Sequence, residues 1–275
     1  MTRRHFTFAC EGAELAGTLD MAPATTGLLI VTGGNEVRSG PWGSQAALAE
    51  RIATAGFPVM RFDRRGVGDS NGENAGFEGS AADIAAALRA FRAHVPTLKR
   101  VIAFGNCDAA SALMLSGGAG CDALVLANPW TFDPEPEPEA APENAADAEA
   151  AHTPMPPSAL RRHYFKRLTN PRAVWRLLTG KVDVGKMASS IAEAARSDPG
   201  PGPLALRMLE ALAAFSGPAT ILLAENDRTA QAFLAGWDTG DPRLRRCPDA
   251  SHSFVEPQAR IWLQGQILAA LRAAA

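Results

Sequence analysis

Five short apolar runs alternate with alanine-rich stretches along most of this chain, and this alternation limits the fold more than any other feature. The runs are GLLIVTGG (27–34), FPVMRFD (57–63), KRVIAFG (99–105), CDALVLANP (121–129) and ATILLAEND (219–227). Helical patterns lie near 42–55, 80–94, 107–118 and 257–273. Strands buried on both faces read as continuous apolar runs, and their alternation with helices is typical of βαβ units. The sequence therefore predicts an α/β fold with a mostly parallel sheet.

The segment before the first apolar run has a different pattern. RHFTFAC and AELAGTLDMA alternate polar and apolar residues, and a Glu-Gly pair separates them. Alternation with a period of two, interrupted by a turn, predicts an antiparallel hairpin.

The region between the fourth and fifth apolar runs departs from the α/β alternation. Residues 132–157 are rich in proline and carboxylates, which cannot build a core, so we expect a flexible acidic loop there. Residues 158–216 carry helical patterns broken by glycine and proline, which predict a helical cap over the carboxyl edge of the sheet. The expected α/β core then comprises 1–131 and 217–275.

Charge and composition narrow the classes of partner. The formal net charge is -2, whereas a nucleic-acid or anionic-membrane surface needs clustered Lys and Arg. No segment reaches the ~18 uninterrupted apolar residues of a membrane span, and the first residues lack an apolar stretch of signal-peptide length. We expect a cytoplasmic protein whose partner is a small molecule.

The cysteines and histidines do not suggest a metal site. Four cysteines, Cys10, Cys107, Cys121 and Cys247, lie far apart and form no CxxC pair. The histidines are scattered without ligand spacing, so we expect neither a metal nor an organic cofactor.

The candidate chemical groups directly follow the predicted strands, because ligands of open α/β sheets bind beyond the carboxyl ends of the strands. Cys107 follows RVIAFG and begins a helical stretch, Asp227 follows ATILLAE, and His252 lies in PDASHSF. A nucleophile, a base and an orienting carboxylate are the parts of a catalytic triad. We take Asp227 as the acid, with Glu225 and Asp249 as nearby alternatives.

The segment Gly105-Asn106-Cys107-Asp108-Ala109 resembles the nucleophile elbow of the α/β-hydrolase superfamily, in which nucleophile, acid and histidine follow in that chain order. The segment MRFDRRGVGDS (60–70) is similar to the D-x-R-G-x-G-x-S loop of these hydrolases. The resemblance covers nearly the whole chain, and it implies the α/β-hydrolase fold, flanking helices and a cap insertion.

Three segments most resemble those of the exosortase A system-associated hydrolases: the elbow GNCDAAS, the loop GGNEVRSG and the segment FDRRGVGDS. A more distant likeness is to dienelactone hydrolase, which also uses a cysteine and has a glutamate in the early loop. That likeness implies a role for Glu36 beside the thiol, and Arg38 is a candidate for contact with a substrate carboxylate.

The superfamily resemblance also implies an oxyanion hole. The loop VTGGNEVRSG (31–40) stands where the family supplies one backbone amide, so the expected donors are the N–H groups of Asn35 and Asp108. The Asp108 carboxylate would raise the pKa of a neighbouring thiol, and we expect it to point away, toward the helix N-terminus.

The predicted activity is acyl hydrolysis through an acyl-cysteine, on an ester or thioester. A helix N-terminus and an imidazolium are expected to lower the pKa of Cys107 from the ordinary ~8.5. Two alternatives remain open: an acyltransferase that uses the same intermediate, and a binding protein that keeps the fold without turnover.

Overall fold

A single mixed sheet organises the molecule. In the computed structural model, which describes residues 2–132 and 200–275, eight strands form this sheet. They are β1 Thr2–Cys10, β2 Ala13–Met21, β3 Thr26–Val31, β4 Val59–Phe62, β5 Arg100–Asn106, β6 Ala123–Ala127, β7 Ala219–Ala224 and β8 Leu244–Cys247. The spatial order is β1-β2-β4-β3-β5-β6-β7-β8. Strand β2 pairs antiparallel with β1 and β4, and the other neighbours pair in parallel, which confirms the predicted hairpin and α/β class.

Helices cover both faces of the sheet. The described helices of eight residues or more are α1 Ser44–Thr54, α2 Ala81–His94, α3 Asp108–Leu115, α4 Pro203–Ala214, α5 Arg228–Ala235 and α6 Pro257–Ala273. Helices α2, α3 and α4 bury side chains in one apolar cluster, while α1 and α6 bury theirs in the cluster on the opposite face.

Strand β3 shows why the central strands are apolar without interruption. Its side chains alternate between the two clusters, with Leu29 and Val31 in one and Leu28 and Ile30 in the other. All four are at most 1% exposed. Full burial of such a side chain contributes about 1.5–3 kcal/mol, so a polar residue on either face would be costly.

The strand register aligns the carboxyl ends of the central strands. Val31 at the end of β3 lies opposite Gly105, and Asn106 at the end of β5 lies opposite Ala127. Ala127 in turn lies opposite Leu222 of β7. The loops that follow β3, β5, β6 and β7 therefore meet at one edge of the sheet.

One helix was not predicted from the sequence, and another forms where a helix was expected but packs into the main core. Helix α5 begins directly after Asp227 and was not predicted from the sequence. Helix α4 lies within the range assigned to the cap, and it packs on α3 with Leu204, Met208 and Leu212 buried in the main core. Residues 133–199, which hold the rest of the predicted loop and cap, lie outside the described residues, so the boundaries of that insertion stay a prediction.

One further finding concerns membranes. Across 2–132 and 200–275, none of the helices is long and apolar enough to cross a bilayer.

The packing of α4 makes a testable prediction about stability. Met208 is fully buried and Leu209, its neighbour on the same helix, is 43% exposed. Met208→Ala should lower the free energy of unfolding by about 2–5 kcal/mol, because it leaves a cavity in the core. Leu209→Ala should lower it by about 1 kcal/mol or less. Chemical denaturation checks both values, and equal losses would contradict the placement of α4 in the core.

Candidate active site

Cys107 occupies a strained turn between β5 and α3. Its backbone has φ 60° and ψ −128°, a conformation that non-glycine residues rarely adopt and that concentrates at functional sites. The turn is held by Cys107 N, which donates to Ala127 O at 3.0 Å, and by Ala110 N, which donates to Cys107 O at 3.0 Å. The thiol is therefore displayed at the carboxyl edge of the sheet, and the residue remains partly exposed.

The elbow requires a small residue two positions before the cysteine. A Cβ added to Gly105 would lie 2.7 Å from the carbonyl carbon of Ala109 and 2.8 Å from its oxygen. Strand and helix approach so closely that no side chain fits at 105. Ala109 itself is fully buried, in agreement with the expectation that the residue two positions after the cysteine must also be small.

Asp227 and His252 meet next to the elbow. Asp227 is 3% exposed and caps α5, where its carboxylate accepts from Thr229 N at 3.2 Å and Ala230 N at 3.1 Å. Its Oδ2 lies 3.0 Å from His252 Nδ1. This proximity favours Asp227 over the alternatives Glu225 and Asp249 as the acid.

The histidine interacts with both predicted partners, and the effect is visible in its pKa. Burial lowers the pKa of His252, but the hydrogen bond and charge of Asp227, together with the interaction with Cys107, outweigh burial and raise the pKa to about 11. The protonated form of the ring is therefore favoured between a carboxylate and a sulfur atom.

The thiol differs from the sequence expectation. Burial raises the pKa of Cys107, and this effect exceeds the opposing hydrogen bond and charge of His252. The charge of Asp108 raises the pKa further. The expected lowering of the thiol pKa was therefore wrong in its net direction, because a pattern of residues in sequence does not show how far the sulfur is removed from water.

The carboxylate of Asp108 also differs from the expectation. Instead of serving only its own helix, it reaches the loop after β3 and accepts from Gly34 N at 2.8 Å with Oδ1 and 2.7 Å with Oδ2. Arg64 donates to Gly34 O and places its guanidinium 3.8 Å from the same carboxylate. Gly33 has no room for a Cβ, which would overlap Asp108 Oδ1. The Asp108 carboxylate thus ties the nucleophile helix to the predicted oxyanion loop.

The contact between Asp108 and Gly34 lies beside the two amides that were predicted to form the oxyanion hole. The Gly34 amide is engaged by Asp108, whereas the N–H groups of Asn35 and Asp108 donate to no acceptor among the described residues. The role of these two amides stays a prediction, and their lack of a described acceptor is consistent with it.

Glu36 and Arg38 have other neighbours in the structure. The Glu36 carboxylate accepts from Gln45 Nε2 at 3.3 Å. Arg38 pairs with Asp63 and, at 2.8 Å, with Asp69. A role for Glu36 at the thiol and one for Arg38 at a substrate carboxylate both stay predictions.

One functional group was missed in the sequence. Asn128, directly after β6, is fully buried and donates to the backbone oxygen of His252 at 3.0 Å. The rule that selected Cys107 and Asp227 applies here also, since Asn128 is the first polar residue after the apolar run ALVLA. An amide carries no nucleophilic or acid–base chemistry of its own, and so it did not stand out.

The described residues contain no group of three or more His, Cys, Asp and Glu side chains arranged to hold a metal ion.

The opposing influences on Cys107 predict a pH-dependent reactivity. Alkylation by iodoacetamide requires the thiolate, so its midpoint pH reports the thiol pKa. His252→Ala removes a group that lowers this pKa, and the midpoint should move to higher pH. Asp108→Asn removes a charge that raises it, and the midpoint should move to lower pH.

Peptide mass spectrometry at residue 107 measures both profiles and separates this thiol from the other three. Asparagine keeps an acceptor for Gly34 N–H, so Asp108→Asn is the conservative change. Shifts of the same sign in both variants would contradict the proposed electrostatics of the site.

Comparisons with known proteins agree with the fold. A family model described as the alpha/beta hydrolase family matches residues 28–261. No curated protein sequence matches the chain.

Three solved structures show the same fold at low sequence identity. An esterase of Pyrococcus furiosus is similar with a TM-score of 0.58 and 15% identity, over 99% of this chain and 90% of that one. A lidless serine hydrolase of Xanthomonas campestris has a TM-score of 0.57 and 15% identity, over 99% and 95%. An esterase of Thermogutta terrifontis has a TM-score of 0.53 and 17% identity, over 98% of both chains. Since the family model spans most of the chain, the protein belongs to the alpha/beta hydrolase family, the class of hydrolytic enzymes that its elbow resembles.

Proposed function

We propose that this alpha/beta hydrolase cleaves esters or thioesters through an acyl-cysteine formed on Cys107. The observation that carries the proposal is one alignment of groups: a thiol on a strained elbow, an imidazole that interacts with it, and a carboxylate 3.0 Å from the far nitrogen of that imidazole. These are the relations that nucleophilic catalysis requires.

The first half of the proposed reaction transfers the acyl group to sulfur. The step requires the neutral form of His252, with Nδ1–H toward Asp227, so that Nε2 accepts the thiol proton. The sulfur then forms a bond to the carbonyl carbon, and the carbonyl oxygen becomes negative within reach of the Asn35 and Asp108 amides. When the adduct collapses, the bond to the leaving group breaks, and the imidazolium returns the proton to the departing alcohol or thiol.

The second half restores the enzyme. Water gives a proton to His252 and its oxygen attacks the acyl-cysteine carbonyl. The carbon–sulfur bond then breaks, the acid leaves, and the imidazolium protonates the sulfur. Asp227 stabilises the imidazolium in both halves, in accord with the raised pKa of His252.

The raised pKa of the buried thiol fits this cycle. A thiol whose neutral form is favoured by burial is protected from indiscriminate reaction in the resting state. Because its proton acceptor is in place, the thiolate forms as attack begins, and the proton stays within the site.

Chemistry favours activated acyl groups as substrates. Thiolate leaves more readily than an amine, so an amide adduct tends to collapse back unless its nitrogen is protonated in time. An ester or thioester adduct goes forward. The esterases of Pyrococcus furiosus and Thermogutta terrifontis share the fold, which is consistent with ester chemistry.

The resemblance to exosortase A system-associated hydrolases, carried by GNCDAAS, GGNEVRSG and FDRRGVGDS, extends the proposal to a bacterial setting near exopolysaccharide and protein-sorting functions. We propose a small-molecule acyl donor and a cytoplasmic location, with hydrolysis independent of a cofactor.

Hydrolysis of p-nitrophenyl acetate and butyrate tests the proposal. Cys107→Ala and His252→Ala should each lower kcat at least about 1,000-fold. The two groups act as one catalytic unit, so the loss of either one removes most of the contribution of both. Cys107→Ser tests whether the site requires a thiolate: the proposal expects this variant to lose most activity, and equal activity would mean that the thiol is incidental.

Two outcomes would redirect the proposal. Equal turnover by wild type and Cys107→Ala would exclude the acyl-cysteine. A burst of p-nitrophenol without turnover, relieved by an added alcohol or amine, would identify an acyltransferase instead.

The identity of the acid is tested separately. Asp227→Asn should lower kcat by about 10,000-fold, because the amide no longer stabilises the imidazolium or fixes its tautomer. Glu225→Gln, two residues away, should retain near wild-type kcat and serves as the matched control. The reverse pattern, with Glu225→Gln inactive and Asp227→Asn active, would assign the acid to Glu225.

A further inference from the structure

Asn128 holds a special backbone position at the active-site edge. It is the first residue after β6, is fully buried, and has φ 43°, in the left-handed region where asparagine is enriched. Its backbone N–H donates to Leu222 O at 2.8 Å, so the pairing of β6 with β7 extends to this residue. The side chain is therefore fixed between the strand that precedes Cys107 and the strand that precedes Asp227.

The carboxamide of Asn128 uses its donors and its acceptor at once. Its Oδ1 accepts from Ala224 N at 2.8 Å, at the end of β7. Its Nδ2 donates to His252 O at 3.0 Å and to Asn106 Oδ1 at 3.1 Å. A backbone N–H only donates and a backbone C=O only accepts, so these partners fix which way the amide faces.

Asn106 completes the network from the neighbouring strand. Its Nδ2 donates to the same His252 oxygen at 3.3 Å, so both lone pairs of that carbonyl are engaged. Asn106 immediately precedes Cys107, and Ala224 lies three residues before Asp227. The ends of β5, β6 and β7 and the loop that bears His252 are thereby joined through the carboxamide of Asn128.

We propose that Asn128, assisted by Asn106, is a positioning residue that sets the imidazole of His252 against the sulfur of Cys107. It fixes the backbone of the residue that carries the imidazole, while its contact with Ala224 places the strand that leads to the acid. The inference rests on the proposed function, but its effect on the thiol requires no turnover.

Removal of the carboxamide tests the proposal. Asn128→Gly suits φ 43° without strain and leaves His252 O with Asn106 alone. With p-nitrophenyl butyrate, kcat should fall about 100-fold while KM changes little, because a displacement of about 1 Å has such an effect on reacting groups. The midpoint pH of Cys107 alkylation should rise toward that of His252→Ala, as the imidazole moves away from the sulfur.

Thr26→Val is the matched control for the loss of a buried hydrogen bond. Thr26 is 1% exposed and its hydroxyl donates to Ala274 O at 3.3 Å, at the start of β3 and hence at the opposite edge of the sheet. This variant should lose thermal stability but keep the wild-type kcat and alkylation midpoint. The comparison applies where the two variants lose the same amount of Tm. The proposal is overturned if Asn128→Gly, like Thr26→Val, then keeps the wild-type kcat and alkylation midpoint.

The remaining outcomes are also decisive. If the wild type hydrolyses none of the esters, the proposed function fails, and the alkylation midpoint of Asn128→Gly still decides the positioning role. If Asn128→Gly does not fold, Asn106→Ala replaces it, since it removes the other donor to His252 O. A smaller upward shift of the midpoint then supports the proposal, and an unshifted midpoint overturns it.

Discussion

The left-handed turn at Cys107 is the constraint on which the rest of the site depends. A residue with φ 60° at the end of a buried strand is strained, and it persists only where its surroundings hold it. Here the hydrogen bonds of the cysteine backbone to Ala127 and Ala110, and the lack of space at Gly105, hold it in place. The turn directs one side chain out of the sheet edge toward the loops that follow the neighbouring strands.

Around that turn, the neighbouring groups have opposite effects on the pKa of the thiol. Burial and the Asp108 carboxylate raise the pKa of the thiol, while His252 lowers it. The Asp108 carboxylate disfavours the thiolate, but it also makes a structural contact. It accepts hydrogen bonds from Gly34 N and lies near Arg64. The loop after β3 is thus held in place beside a thiol whose neutral form is favoured.

The sequence was sufficient for the parts of the structure that follow from local patterns. Apolar runs predicted β3 to β7 because strands buried on both faces are predominantly apolar, and the strand-end rule brought Cys107, Asp227 and His252 to one edge. Helix α5 was missed because it has only eight residues and a polar first turn. The direction of the Asp108 side chain, the net pKa of the thiol and the network of Asn128 depend on contacts between distant segments, which a single sequence does not display. The elements within 133–199 stay predictions.

The central claim is that a covalent acyl group passes through Cys107. Rapid acid quench of the protein during reaction with p-nitrophenyl butyrate, followed by peptide mass spectrometry, tests it most directly. The account predicts a butyryl group on residue 107 that disappears as the substrate is consumed. Turnover of the ester with residue 107 unmodified at every time point, or with the acyl group on another side chain, would contradict it.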